Sequence, residues 1–207
     1  MINKIIIFII TCTIVCPISS VQAEEKVIFS PVYLIDKIYK SMTGPSSTQK
    51  IYLIQDQKPE LLWITGYKAV MVGADEKTPA LQEFMCHSNL DYVPKGKQKF
   101  YGDPRYFTLS QGQLSIELPR GFGMPVMSDQ PLSLTTQVLN LNIKNKSFNV
   151  RHRITIEFVR DSELKKPLKP LFPSSGYGMK VLNRADGYYG IDKADDEKHG
   201  PSCLVGK

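Results

Sequence analysis

Hydrophobic and polar residues alternate most regularly over residues 148–159. Successive side chains of a β-strand point to opposite faces, so this alternation predicts a strand with one apolar and one polar face. His152 has the same parity as the apolar residues, and we expect the strand to direct its imidazole into the core. The other apolar positions are Phe148, Val150, Ile154, Ile156 and Phe158, and the polar positions are Asn149, Arg151, Arg153, Thr155 and Glu157.

Similar apolar or β-branched runs recur along the chain, separated by Gly, Pro, Asn and Asp. They cover residues 51–55, 61–72, 84–92, 106–109, 113–118, 132–143 and 148–159. Short strands with this spacing are typical of an antiparallel β-sandwich or jelly roll, so the sequence predicts a mostly β fold. The short connection at residues 144–146 predicts that the last two strands form a hairpin. Residues 32–42 have helical spacing, and we expect one short helix or a further strand there.

The first 23 residues have the organisation of a signal peptide. Lys4 precedes an apolar run over residues 5–15, and the segment ends at Ala23, before two glutamates. A charged start, an apolar centre and a small residue at the cleavage position predict removal near Ala23 and a secreted or periplasmic protein. The apolar run is too short to span a membrane, so no transmembrane segment is expected in the mature chain. A lipoprotein acylated at Cys16 is an alternative, but small residues do not precede that cysteine.

The mature chain is expected to consist of a sandwich over residues 24–160 and a loop-rich C-terminal arm over residues 161–207 that packs on the same domain. The arm is marked by Pro167, Pro170, Pro173, Gly176 and Gly178. Its acidic stretch at residues 192–197 lacks the alternating ligands and central glycine of an EF-hand loop. Removing Lys4 with the leader leaves 25 basic against 20 acidic residues. These charges are scattered, so no nucleic-acid partner is expected.

Candidate chemistry concentrates at residues 83–91. If the alternation is unbroken, one face carries Met85, His87, Asn89 and Asp91, and the other carries Phe84, Cys86, Ser88 and Leu90. An imidazole beside a thioether favours copper, because soft sulfur selects Cu(I) and histidine tolerates both oxidation states. Two further methionines flank Pro125 in a glycine-rich turn, so the candidate copper ligands are Met85, His87, Met124, Met127 and His152. The alternative is that His152 is a hydrogen-bonded core histidine and that the methionines fill gaps in the core.

Four stretches of the chain resemble exported bacterial relatives of the stress-up-regulated nodulin proteins. They are Ser41-Met42-x-Gly44-Pro45, Leu62 to Tyr67, Glu83 to Leu90, and Pro131 to Asn140, and the likeness runs from about residue 30 to the C-terminus. That group is distantly similar to the copper type II, ascorbate-dependent monooxygenases, whose jelly-roll domains ligate copper through histidine and methionine. The resemblance implies a monooxygenase-like sandwich. Here only His87 stands where those enzymes have a histidine pair, and Asn140 and Asn142 stand on the later strand, so ligands are missing.

Three functions follow as hypotheses. The first is an exported module of monooxygenase-like fold that binds copper or a small ligand without catalysis. The second is a structural or protein-interaction sandwich without metal, whose partner the sequence does not identify. The third is a single-site copper oxidoreductase, which needs an open coordination position and an electron donor. Because the chain has no Gly-x-Ser-x-Gly turn, phosphate-binding glycine loop or Cys-x-x-Cys pair, binding is favoured over enzymatic activity.

Cys12 and Cys16 leave with the leader, so Cys86 and Cys203 are the mature cysteines. In an oxidising compartment two cysteines usually form a disulfide, and we expect this pair to do so, with two separate buried thiols as the alternative. The bond would close a loop of more than about 100 residues and stabilise the fold by about 4 kcal/mol in the chain-entropy model. Thiol titration of the unfolded, unreduced protein is expected to find none. Two thiols per monomer would contradict the pairing.

Overall fold

The computed structural model describes residues 23–55, 58–94 and 104–174, and it arranges their strands in two sheets. The strands of these ranges are β1 (Glu24–Phe29), β2 (Tyr33–Ile35), β3 (Ser46–Ile51), β4 (Leu61–Gly73), β5 (Met85–Tyr92), β6 (Arg105–Leu109), β7 (Ser115–Glu117), β8 (Phe122–Met127), β9 (Leu132–Val138), β10 (Phe148–Arg160) and β11 (Lys169–Pro170). Two short 3₁₀ helices, Gln82–Phe84 and Asp161–Glu163, precede β5 and follow β10. Within the described ranges, no helix is long and apolar enough to cross a membrane.

The larger sheet has the strand order β1-β10-β4-β8-β11, and in addition β2 pairs with β10 and β7 pairs with β4. The smaller sheet has the order β3-β9-β5-β6. Neighbouring strands are antiparallel, apart from the short parallel contact of β11 with β8. Apolar residues of both sheets form one shared core. The predicted antiparallel β-sandwich is therefore confirmed.

The predicted hairpin of the last two strands is wrong, because β9 lies in the smaller sheet and β10 in the larger one. β9 ends at Val138, where the apolar alternation of the sequence changes phase. Beyond that residue, the N–H of Leu139 donates to the carbonyl of Phe84 at 2.9 Å. The buried side chain of Asn140 then donates to the carbonyl of Ile143 at 2.7 Å. These bonds turn the chain out of one sheet and towards the other.

Four strands were not expected from the sequence pattern, namely β1, β3, β8 and β11, and the run predicted at residues 51–55 is a strand only at Ile51. β3 consists mostly of polar residues because it lies at the edge of the smaller sheet, where one of its faces meets solvent. β8 contains Pro125, a residue that usually argues against an inner strand because it cannot donate a backbone hydrogen bond. The region at residues 32–42 supplies the short strand β2 rather than a helix. Residues 161–174 of the predicted arm pack on β8 through β11, and residues 175–207 lie outside the described ranges.

Two buried tyrosines of the larger sheet reach across the core and bond to the smaller sheet. The hydroxyl of Tyr67 on β4 lies 2.7 Å from the hydroxyl of Ser88 on β5. The hydroxyl of Tyr33 on β2 lies 2.7 Å from that of Thr136 and 2.6 Å from that of Ser47. Ser47, Thr136 and Ser88 are register partners across three neighbouring strands, so their hydroxyls form one inward-facing row. This row satisfies the tyrosine hydroxyls and so offsets the cost of burying them.

β4 is covered on both faces where it begins. Leu62 and Ile64 face the shared core, whereas Trp63 lies between them on the opposite face and is still only 5% exposed. The indole N–H of Trp63 donates to Asp161 Oδ1 at 2.8 Å, which fastens the second 3₁₀ helix over the outer face of the larger sheet. The chain after β10 therefore serves as a partial third layer beside this strand.

The contact of Tyr67 with Ser88 should contribute measurably to stability. We expect Tyr67→Phe to lower the free energy of unfolding by about 1 to 3 kcal/mol, because the buried hydroxyl of Ser88 loses its hydrogen-bond partner. The double variant with Ser88→Ala should cost less than the sum of the two single changes, since both partners are then absent. Denaturant unfolding of the four proteins measures this coupling. Strictly additive effects would show that the two hydroxyls do not stabilise each other.

Candidate functional site

A β-bulge in β5 separates the two candidate ligands on that strand. The register pairs Met85 with Val138 and His87 with Gln137, and it leaves Cys86 as the extra residue. Val138 and Gln137 are consecutive in β9, so they point to opposite faces, and each directly opposed residue of β5 shares the face of its partner. Met85 therefore points into the core, whereas His87 lies on the outer face of the smaller sheet. The predicted shared face of these two residues is wrong.

His87 lies half-buried among polar residues on that outer face. Burial lowers the pKa of His87 below its ordinary value of 6.5, the nearby Arg105 guanidinium lowers it further, and Asp91 opposes both effects. Arg105 and Asp91 form an ion pair with each other. The imidazole is therefore neutral at pH 7. Asn89 shares this face, is 7% exposed, and has a buried Oδ1 atom without a hydrogen-bond partner among the described residues.

The two methionines of β8 lie far from His152. Met124 is buried opposite Ile64 of β4, whereas Met127 is 42% exposed and lies on the other face of β8. His152 is paired with Met71, which lies seven residues further along β4 than Ile64. At ~3.3 Å per residue, the two positions are about 23 Å apart along the strand. The five predicted ligands therefore do not converge on one ion.

His152 is placed in the core as predicted, on the inner face of β10 and with no exposed surface. Its backbone N–H donates to the Ser30 hydroxyl at 3.0 Å, and the Ser30 N–H donates to its carbonyl at 3.1 Å. Neither ring nitrogen, however, has a hydrogen-bond partner among the described residues. Burial, with a smaller effect of His87, lowers the pKa of His152 to about 3. The core therefore holds a neutral imidazole whose polar atoms are unsatisfied.

Met71 is the nearest sulfur that the register places beside this imidazole. Its backbone N–H donates to Gln82 Oε1 at 2.8 Å, and its carbonyl accepts from Gln82 Nε2 at 3.0 Å. His152 likewise directs its backbone groups towards Ser30, so the two residues form a non-hydrogen-bonded pair. Such pairs bring side chains on one face closest together, with Cβ atoms about 4.5 to 5.5 Å apart. Both side chains are fully buried, so the thioether and the imidazole are neighbours.

Sequence reasoning missed Met71, although it fell inside a correctly predicted strand. Its role depends on the register of β4 against β10, which the alternation along a single strand does not specify. One further residue, Tyr33, borders the same part of the core. The ring of Tyr33 lies edge-on to that of His152, with 5.9 Å between ring centroids. Met85 is fully buried and begins β5 three residues after Gln82, whose side chain holds the backbone of Met71.

Cys86 has a free thiol in the structure and is half-buried, with its sulfur 4.0 Å from the Ser41 hydroxyl oxygen. Its predicted partner, Cys203, lies outside the described residues, so the disulfide stays a prediction. His199 also lies outside them. Across residues 23–55, 58–94 and 104–174, no three His, Cys, Asp or Glu side chains cluster as a metal site would require.

Acid is expected to destabilise the metal-free protein through His152. Its pKa is about 3 in the fold against 6.5 ordinarily, so the folded state binds fewer protons than the unfolded state between these values. This contribution to stability is fully present above pH 6.5 and is lost as the pH falls from 6.5 towards 3. The full loss corresponds to about 4 to 5 kcal/mol.

His152→Leu is the matched variant for this measurement, because it replaces the imidazole with an apolar side chain of similar size. At about pH 7 it should raise the free energy of unfolding by about 1 to 3 kcal/mol, since two buried nitrogens without partners are removed. Denaturant unfolding at about pH 7 and about pH 4 should show the advantage of the variant growing in acid. An advantage that is the same at both pH values would contradict a buried, neutral imidazole.

Comparison with known proteins did not assign this chain to a family: no family model matches it, and no curated protein matches it. The resemblance to exported relatives of the stress-up-regulated nodulin proteins stays a prediction from the four stretches of sequence that carry it. The candidate site is accordingly defined by the register that pairs the buried residues His152 and Met71.

Proposed function

We propose that the protein is an exported, non-catalytic β-sandwich module that binds one Cu(I) ion in its core, with His152 and Met71 as ligands and Met85 as the third. The observation that carries this proposal is the pair of ring nitrogens on His152, both fully buried and both without a hydrogen-bond partner among the described residues. Buried polar groups are nearly always satisfied, so an exception in a core needs an explanation. A coordinated ion supplies one.

The chemistry of the donor set suits this ion. Metals bind the neutral form of histidine, and the lowered pKa of His152 keeps that form present throughout the physiological range. Thioether sulfur is a soft ligand and selects Cu(I), whereas carboxylate and carbonyl oxygens suit harder ions. The register places the Met71 thioether beside the imidazole, and Met85 enters the same core from the opposite sheet. Of the ligands expected from the sequence, this site retains His152 and Met85.

Enclosure argues for binding rather than catalysis. His152, Met71 and Met85 are all fully buried, so a substrate has no route to an open position on the ion. Catalytic metal sites keep such a position open, whereas structural sites are closed. Because the ligands lie between the two sheets, we expect the ion to enter as the chain folds, so that metal binding and folding are coupled. The leader sequence supports a module of this kind acting outside the cytoplasm.

The decisive measurement is Cu(I) uptake during refolding. Wild type refolded under reducing conditions with Cu(I) and a competing chelator is expected to retain one ion per monomer. Met71→Leu, a nearly volume-conserving change, should weaken binding at least about tenfold, or about 1.4 kcal/mol, while leaving the fold intact. Met85→Leu should have a similar effect, and His152→Leu should abolish binding. Circular dichroism confirms that each variant is folded.

Two control variants separate this site from the other candidate ligands. Met124→Leu changes a buried methionine about 23 Å away along β4, and His87→Ala removes the imidazole on the outer face, so neither should alter Cu(I) affinity. Loss of binding in His87→Ala alone would move the site to the outer face. Failure of wild type to retain Cu(I) after refolding would reject the copper proposal.

A second candidate function is an interaction module without metal. It is favoured by Asn89, whose buried Oδ1 atom has no hydrogen-bond partner among the described residues and which lies on the outer face of the smaller sheet beside His87. A bound partner that donates to this oxygen would satisfy it. The copper measurements distinguish the two functions, because an interaction module of this kind retains no Cu(I) in any variant.

A further inference from the structure

An apolar groove lies on the outer face of the larger sheet, on the opposite side from His152. Its floor is formed by Thr65 of β4 and Val159 of β10, and the groove encloses about 240 Å³. The segment between β7 and β8 forms one wall, and the chain after β10 forms the other. Further lining residues of the mature chain include Leu118, Arg120, Phe122, Leu164 and Leu168, whereas Ala23 lines the groove only before the predicted leader is removed.

The wall that contains Leu168 is fixed by close packing on β8 and by backbone hydrogen bonds to that strand and the residue before it. A Cβ atom at Gly123 would come within 3.0 Å of both Leu168 Cδ1 and Trp63 Cβ, so the absence of a side chain there lets these groups pack closely. The N–H of Lys169 donates to the carbonyl of Gly121 at 2.9 Å, and Leu171 bonds to Gly123 in the same way at 2.9 Å. The groove therefore has a shape imposed by backbone pairing rather than by the chance position of a side chain.

Among the described lining residues, the charged side chain is the cation Arg120. Arg120 is exposed at the edge of the groove, and it has no ion pair or hydrogen bond with any described residue. No acidic side chain lines the groove, and most of the lining is aliphatic or aromatic. An apolar surface bordered by an exposed guanidinium is complementary to a molecule with an apolar chain and a carboxylate, which arginine can bind through two parallel hydrogen bonds.

We infer that this groove binds a short-chain carboxylic acid, with the acyl chain on Val159, Leu164 and Leu168 and the carboxylate on Arg120. The volume of about 240 Å³ lies below the ~300 Å³ of the smallest usual ligand sites, so the ligand is expected to be small. This volume excludes a long lipid chain lying wholly within the groove. The inference is independent of the proposed copper site, because the groove and His152 lie on opposite faces of the larger sheet.

The chain's single tryptophan provides the measurement, since Trp63 packs beneath Leu168 and its fluorescence reports changes in the groove. Octanoate added below its micelle-forming concentration is expected to change this fluorescence with a single saturating curve. Octanol should bind at least about fivefold more weakly, because its head group is neutral. Octylammonium, which carries the opposite charge, should bind more weakly still.

Arg120→Gln is expected to reduce octanoate affinity at least about fivefold and to make octanoate and octanol bind equally. Leu168→Ala should weaken both ligands. Arg153→Gln is the matched control, because it removes an exposed arginine from β10 outside the groove, and it should change neither affinity. Equilibrium dialysis with labelled octanoate repeats the comparison without depending on Trp63.

Several results would overturn the inference. One is the absence of octanoate binding in dialysis. A second is equal affinity of wild type for octanoate and octanol. A third is an equal loss of octanoate affinity in Arg120→Gln and Arg153→Gln. Sedimentation of wild type with and without octanoate tests whether a second copy of the chain occupies the groove instead. A concentration-dependent dimer that Arg120→Gln dissociates and octanoate does not would assign the groove to a second copy of the chain instead.

Discussion

The arrangement of this sandwich depends on the hydrogen bonds that two buried tyrosines make across its core. Tyr67 and Tyr33 come from different strands of the larger sheet, yet both end on one row of hydroxyls in the smaller sheet. Apolar packing alone tolerates small sliding of one sheet over another, whereas a buried hydroxyl must meet its partner at hydrogen-bond distance. The row of Ser47, Thr136 and Ser88 therefore specifies how the two sheets align.

His152 contrasts with these two tyrosines. The same core that gives each buried tyrosine hydroxyl a partner leaves both ring nitrogens of His152 without one among the described residues. Burying polar atoms in this state costs free energy that an apolar side chain would not. The buried tyrosine hydroxyls are hydrogen-bonded, whereas burying this imidazole costs free energy. A ligand that binds a ring nitrogen would offset that cost. The neighbouring thioether of Met71 makes a soft metal the suitable ligand.

The two faces of the larger sheet differ in how completely they are covered. On its inner face the imidazole of His152 and the thioether of Met71 are fully buried, which suits the closed copper site proposed above. Its outer face is covered only in part by the chain after β10, which leaves a groove bordered by Arg120. β4 connects the two, because Trp63 supports the groove from the outer face while Met71 contributes to the core. The proposed copper site and the proposed ligand groove can thus share one strand without sharing residues.

The sequence by itself determined the mostly β class, the strand at residues 148–159 and the burial of His152, because alternation with a period of two is a local property of a strand. It did not determine which strands pair. The sequence predicted a hairpin after β9, yet Asn140 donates to Lys37 and Leu139 to Phe84, both distant in sequence, and β10 joins the other sheet. The bulge at Cys86 likewise reversed the expected face of His87, because one extra residue inverts the alternation that follows it. Met71 became a candidate ligand only through the register of β4 against β10. Register and sheet membership depend on contacts between residues distant in sequence, and only the tertiary structure decided them.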